Sequence, residues 1–280
     1  MQTDAEKLKV DIAIEKGAPL FRWVGGKRRL LGQIRPHLPK TFGTYYEPFL
    51  GGAALFFDLQ PKRGVLADLN NDLIGFYCAV RDNPKALIAE LEAYTNNKTE
   101  FLRVRSAKPT GKIKRAARFY YLVNLAFNGI YRVNKSGDFN VPYCRNPHRG
   151  IVDSEKIMAA HKALADCTIV AGDFEESVVS AKSGDLVYFD PPYTVAHDNN
   201  GFLQYNESIF SWSDQERLAR VATDLQGRGV TVLISNANHS SLHKLYARAE
   251  THLIQRASTI AASGSERGKV KEILVVLRPT

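Results

Sequence analysis

Leu186-Val187-Tyr188-Phe189 runs directly into Asp190-Pro191-Pro192-Tyr193. The apolar run, introduced by Gly184-Asp185, reads as a buried strand of a parallel sheet. In open α/β sheets ligands sit beyond the carboxyl ends of the strands. Two successive prolines there remove two backbone donors and fix φ. The adjoining carbonyls are then free to accept hydrogen bonds from something else. A carboxylate, free carbonyls and the Tyr193 ring together suit a planar ring carrying an exocyclic amino group. Taken alone, the tetrapeptide is equally a Pro-rich turn with Asp190 as a cap and Tyr193 as packing, so the rest of the chain has to decide.

Working outward, apolar runs that read as strands lie at 44–49, 64–68, 168–171, 186–189 and 230–234, with two more near Leu253 and at 273–277. Helical patterns fill most of the gaps, among them 53–59, 72–81 and 214–225. This alternation predicts an α/β fold, a mostly parallel sheet covered by helices on both faces. Residues 84–165 interrupt it with helical patterns at 84–94, 99–105, 112–127 and 153–165. Between the last two, 128–149 is turn-rich, with Asn128-Gly129 and Ser136-Gly137-Asp138, and reads as a β-hairpin with loops. The expected organisation is a main unit of residues 1–83 and 166–280, with 84–165 as an inserted helical domain carrying the hairpin.

A chain of 280 residues, 44% of them hydrophobic, has enough apolar surface for a substantial core. No apolar stretch approaches the roughly 20 residues that span a bilayer. Residues 1–16 mix acids and bases and contain no apolar signal core. A soluble, cytoplasmic, monomeric protein is expected. The net charge of +9 and pI of about 9.4 favour a polyanionic partner. Within 101–118 stand Arg103, Arg105, Lys108, Lys112, Lys114, Arg115 and Arg118 with no acid among them, which reads as a phosphate-binding face or as a solvated helix face. Cys78, Cys144 and Cys167 are far apart, and neither a C-x-x-C nor a Cys/His zinc spacing occurs. Free, mostly structural thiols and no metal are expected.

Three further segments fall at strand ends. Glu47-Pro48-Phe49-Leu50-Gly51-Gly52 occupies a strand-to-helix turn where glycines let a ligand approach the backbone. It is not G-x-G-x-x-G, so a nucleoside without phosphates fits better than a dinucleotide. Asp68 follows about 20 residues later, where an acid can bond ribose hydroxyls; a tight turn and a helix cap are the other reading. Asp173 can accept from an adenine amino group and Phe174 can pack on the ring, or the pair is an N-cap and a core aromatic. Before the first strand, Phe21-Arg22-Trp23-Val24-Gly25-Gly26-Lys27 offers a stacking surface, a close backbone approach and a donor.

In this order the segments closely resemble the DNA adenine methylase (Dam) family of D12-class, adenine-specific methyltransferases. The matching pieces are Trp23 to Lys27, Glu47 to Gly52, Ala67-Asp68-Leu69-Asn70-Asn71-Asp72 and Asp190 to Tyr193. The insertion adds Phe127-Asn128-Gly129-Ile130-Tyr131-Arg132-Val133-Asn134 and Gly137-Asp138-Phe139-Asn140-Val141-Pro142-Tyr143, which look like the family's target-recognition hairpin. Ser263-Gly264-Ser265-Glu266-Arg267-Gly268-Lys269 looks like its late loop, and the resemblance covers roughly residues 20–278.

The resemblance implies a Rossmann-like methyltransferase sheet binding S-adenosylmethionine at Trp23, Lys27, Asp68 and Asp190, with Glu47, Phe49, Gly51, Asp173 and Phe174 nearby. It implies duplex DNA held by the hairpin, with Arg132 as a base-reading arginine and Arg22, Phe127, Asn128, Asn134, Lys135 and Pro142 beside it. Lys112 and Arg115 would contact phosphates. The target adenine must leave the duplex to be reached. Tyr193 would stack on it, and Asp190 with the Pro191 carbonyl, held by Pro192, would accept from N6. GATC is the recognition sequence the resemblance implies, while a partner restriction enzyme and a bacterial or phage host stay open. An RNA or protein amino-group methyltransferase of the same fold is the alternative. A nicotinamide dehydrogenase would need the missing phosphate loop.

Overall fold

The computed structural model describes residues 17–134, 136–144, 146, 150–194, 210–257 and 269–279. Five strands run parallel: β1 (Tyr45–Glu47), β2 (Gly64–Asp68), β3 (Cys167–Ala171), β4 (Leu186–Phe189) and β5 (Thr231–Ala237). β6 (Glu250–Ala257) and β7 (Lys269–Leu277) pair antiparallel, and β7 lies antiparallel on β5. The order across the sheet is β3-β2-β1-β4-β5-β7-β6. All four residues of β4 are buried, as expected for a strand covered on both faces. The chain order reverses between β1 and β4, and a crevice at such a switch point is where open α/β sheets bind ligands. Glu47 ends β1 on one side of that point, and Asp190 follows β4 on the other.

The helices among the described residues are α1 (Leu31–Ile34), α2 (Ala54–Leu59), α3 (Asn71–Asp82), α4 (Pro84–Glu92), α5 (Lys98–Ser106), α6 (Lys112–Leu125), α7 (Ser154–Leu164), α8 (Phe174–Ser177), α9 (Trp212–Gly227) and α10 (Ser240–Leu245). Their starts follow local chemistry. Asn70 accepts from the Asp72 and Leu73 N–H groups at the head of α3, and Ser211 with Asp214 forms a capping box at α9. Pro84 opens α4, where its missing N–H costs nothing.

Two apolar clusters flank the sheet. One gathers Phe21, Phe56, Phe76, Tyr77, Tyr120, Leu164 and Leu274, and the other Phe174, Phe189, Phe210, Leu218, Ile234 and Val275. Helices α4, α6 and α7 pack on α3, α5 packs on α6, and all contribute to the same cluster. None of the described helices is long and apolar enough to cross a membrane. Cys78, Cys144 and Cys167 are free thiols.

The insertion departs from expectation at one junction. The helix expected over 112–127 stops at Leu125, because Ala126 is extended (ψ 155°) and bridges Tyr143. Phe127–Gly129 then forms a 3-10 turn with Asn128 at φ +56°. The hairpin is held by two isolated antiparallel bridges, Ala126 to Tyr143 and Val133 to Phe139, in place of continuous strands. Its tip is closed by the Asn134 side chain, which accepts from the Ser136 and Asp138 N–H groups.

Candidate active site

Lys27 is the centre of the site. The Gly26 N–H donates to the Trp23 carbonyl at 3.1 Å and Gly25 takes φ +81°, a tight turn that sends Lys27 inward. The residue is 4% exposed. Its Nζ donates to the Gly25 carbonyl at 2.9 Å and lies 2.6 Å from Asp190 Oδ1 and 3.7 Å from Glu272 Oε2. Tyr193 lies beneath it, with the ring centroid 5.1 Å from Nζ. The Tyr193 hydroxyl donates to Glu272 Oε2 at 2.6 Å. Burial, then the Glu272 and Asp190 charges, hold that phenol well above its ordinary range. The arrangement places one ammonium between two carboxylates, against an aromatic ring.

Glu47 is buried and accepts from the Tyr45 hydroxyl at 2.9 Å. Burial pushes its carboxyl up to about 8, against the Tyr45 hydrogen bond and with a further contribution from the Asp190 charge. Asp68, at the end of β2, accepts from the Gly51 and Asn70 N–H groups, each at 3.0 Å, and its burial also raises its pKa. The Tyr77 hydroxyl donates to the Gly51 carbonyl at 3.1 Å. Gly51 has φ +45°, and a Cβ there would lie 2.8 Å from Trp23 Nε1. Glycine is therefore needed both for the backbone and for the indole against it.

Phe49 and Phe174 stack at 5.4 Å, with Phe189 and Phe210 edge-on or tilted around them. Asp173 is engaged within the protein. Its two oxygens each take a 2.8 Å hydrogen bond from Arg217, and it also caps α8 through the Glu175 N–H. Arg217 lies over the Phe174 ring at 4.2 Å. Bidentate pairing of this kind is strong and directional, so the carboxylate braces the pocket wall.

Glu272, Arg217 and a buried amide chain belong to the site without any motif that marks them in the sequence. In that chain Asn236 donates to Gln215 (2.9 Å), Gln215 to the Thr194 hydroxyl (3.0 Å), and Thr194 to the Phe210 carbonyl (2.9 Å). It ties the residue after Tyr193 to β5 and α9. The only local signal for Glu272 is an acid after Lys271 and directly before the apolar run 273–277. At the opposite edge of the sheet His37, Glu250 and His252 gather in metal-like proximity, but Arg278 already pairs with Glu250.

Residues 23–260 match the profile of the family described as D12 class N6 adenine-specific DNA methyltransferase. The chain belongs to that family. It is 40% identical over 267 residues to a Type II methyltransferase of Lactococcus lactis subsp. cremoris, covering 92% of this chain and 94% of that one. A Type II methyltransferase of Methanocaldococcus jannaschii is 34% identical over 285 residues, covering 92% and 98%. The DNA adenine methylase of Escherichia coli is 32% identical over 272 residues, covering 95% and 97%. Among solved structures, a precorrin 8w decarboxylase of Methanobacterium thermoautotrophicum aligns over 90% of this chain and 89% of its own at a TM-score of 0.36 and 9% identity, too remote to carry an argument.

This adenine-specific DNA methyltransferase joins its catalytic edge to the hairpin through aromatic contacts. Trp23 stacks on Tyr131 at 6.2 Å, and the Tyr131 hydroxyl donates to Asp72 at 2.8 Å. A Cβ on Gly129 would lie 2.8 Å from the Arg22 carbonyl, so Arg22 sits directly against the start of the hairpin. Arg132 is exposed, and its Nε donates to Asn140 at 2.8 Å. Phe127 is 52% exposed, and Pro142, whose carbonyl accepts from the Phe127 N–H, is exposed beside it.

The basic segment divides. Arg103 pairs with Glu100 and Lys108 with Asp138, while Arg118 donates to the Val104 and Arg105 carbonyls at the end of α5. Lys112 and Arg115 are exposed, and their side chains make no ion pair or hydrogen bond among the described residues. Lys135 and the late-loop residues 263–268 lie outside the described residues.

Proposed function

We propose that the enzyme transfers a methyl group from S-adenosylmethionine to N6 of an adenine flipped out of duplex DNA, at a specific site of which GATC is the candidate. The observation that carries this reading is the position of Asp190-Pro191-Pro192-Tyr193 at the switch point, with Lys27 locking Asp190 from one side. The residues fit the donor. A glycine turn lies under Trp23, two buried acids stand at the ends of β1 and β2, and the paired-carboxylate centre favours a cation. Trp23, Lys27, Glu47, Phe49, Gly51, Asp68, Phe174 and Asp190 would hold it, with Asp173 bracing the wall through Arg217. When bound, S-adenosylmethionine supplies an electrophilic methyl on sulfur.

The protein's own work is positioning and electrostatics. Asp190 and the Pro191 carbonyl accept hydrogen bonds from N6, which favours a pyramidal nitrogen and stabilises the charge that develops on it. Tyr193 stacks on the ring and fixes its plane. Residues 84–165 form the target-recognition unit. Arg132 reads a guanine edge, Phe127 stacks on bases, Arg22, Asn128, Asn134, Lys135 and Pro142 line the groove, and Lys112 and Arg115 hold phosphates. We infer a monomer working in the cytoplasm, where its DNA substrate lies. Sequencing plasmid DNA for N6-methyladenine after expression tests the site: methylation confined to one short sequence is expected, and methylation scattered over all adenines contradicts it.

Truncating Arg132 is expected to cost about 1–3 kcal/mol at one base pair and to relax discrimination there. Truncating Lys112 or Arg115 should weaken binding to every sequence alike and flatten the salt slope by roughly one unit. Competition between cognate and single-substitution duplexes at several salt concentrations separates the two. A uniform loss from Arg132→Ala would make that arginine a backbone contact.

Glu47 gives a pH signature. Its folded pKa of about 8 lies above the ordinary 4.5, so it is protonated near neutrality. Its contribution to stability is present below pH 4.5 and is lost as pH rises through about 8. A cationic donor beside it lowers its pKa, so binding near neutral pH releases a proton, and well above pH 8 it releases none. Calorimetry in two buffers of different ionisation heat measures this. Proton uptake, or release unchanged in Glu47→Gln, contradicts the assignment.

A further inference from the structure

Glu272 is fully buried in β7, opposite Ala237, the last residue of β5. Alternation along the strand puts it on the face of Leu274 and Val276, both members of an apolar cluster. A leucine would continue that face, whereas a buried carboxylate carries a desolvation cost that close partners must offset. Two of its partners belong to the candidate site: the Tyr193 hydroxyl at 2.6 Å and Lys27 Nζ at 3.7 Å. Neither the motifs nor the mechanism above uses it.

We propose that Glu272 is a positioning residue for methyl transfer, fixing the Tyr193 ring through its hydroxyl and sharing Lys27 with Asp190. The inference rests on the assignment of Tyr193 and Asp190 to the adenine. The Tyr193 ring stands on a Pro-Pro turn at one end, and Glu272 anchors the other, so the ring plane is set before a base arrives. The second effect is electrostatic. Lys27 would otherwise neutralise Asp190 outright, and the competing carboxylate leaves Asp190 a better acceptor for N6. Two carboxylates around one ammonium suit a sulfonium donor and the developing positive nitrogen alike.

Single-turnover methyl transfer, with duplex DNA and S-adenosylmethionine both saturating, reads these effects. Glu272→Ala should lower the rate constant by about tenfold or more, since ångström misplacement of a reacting pair is that costly. Tyr193→Phe should lower it less, and should cost little further in the Glu272→Ala background, because the hydroxyl acts through Glu272. Glu272→Gln keeps an acceptor and loses the charge, so it should still be slower than the parent. Three results overturn the proposal: Glu272→Ala within twofold of the parent, losses that multiply in the double variant, or a loss confined to donor affinity. If Glu272→Ala does not fold, a Glu272→Gln rate equal to the parent's overturns it as well. A parent that transfers no methyl to DNA would instead sink the functional reading on which this rests.

Discussion

Asp190→Ala should lower the rate of methyl transfer by about 100- to 1000-fold while DNA affinity stays within a few fold. Asp190 is the carboxylate that the turn after β4 presents at the switch point, and Lys27 at 2.6 Å holds it in place. Adenine N6 is a poor nucleophile because its lone pair is delocalised into the ring. An acceptor aligned with one N–H helps to localise that pair, and the benefit grows as positive charge develops, so the loss falls on the chemical step. Lys27 retains Glu272 as a partner in the variant, which limits damage to the fold. The hairpin residues assigned to DNA belong to a different part of the chain, so binding should survive. Single-turnover assays alongside binding titrations give both numbers. Activity within a few fold of the parent would remove Asp190 from the catalytic role.

Lys27→Met should destabilise the protein by about 3–5 kcal/mol, the usual cost of removing one member of a buried ion pair. The lysine is 4% exposed, and its partners Asp190 and Glu272 are 18% and 0% exposed. Methionine fills much of the volume but leaves two neighbouring carboxylates without their cation. For a chain of this size the thermal midpoint should fall by roughly 10 °C. Adding Glu272→Gln to Lys27→Met should recover part of the loss, because it removes one of the stranded charges. Thermal and urea unfolding of the three proteins test this. A single variant within 1 kcal/mol of the parent would mean that solvent already screens the centre.

The sheet was legible because its signal is local. Leu186–Phe189, Gly64–Asp68 and Cys167–Ala171 are short apolar runs closed by an acid or a turn, and each became a parallel strand of the sheet. Glu47 to Gly52, Asp68 and Asp190 to Tyr193 meet at one edge of the sheet, as their common position at strand ends predicts, and Trp23 to Lys27, which precedes the first strand, joins them there. Contacts set by distant parts of the chain were not legible. Glu272 is 79 residues from Tyr193 and Arg217 is 44 from Asp173, and no periodicity marks such pairs. Asp173 therefore read as an adenine acceptor or a cap, and it is a cap with both oxygens on an arginine. The basic stretch 101–118 looked uniform, yet Arg103, Lys108 and Arg118 are engaged within the protein while Lys112 and Arg115 face solvent. Helix α6 ended early because an extended Ala126 pairs with Tyr143, a contact that helical periodicity does not encode.

The central claim is that the switch-point crevice moves a methyl group onto adenine N6 in duplex DNA. The direct measurement uses purified protein, S-adenosylmethionine labelled in the methyl group, and a duplex that is afterwards digested to nucleosides. All of the label should run with N6-methyldeoxyadenosine, and Asp190→Ala should incorporate it about 100- to 1000-fold more slowly than the parent. Label on cytosine, label on the protein itself, or equal incorporation by the variant would contradict the account.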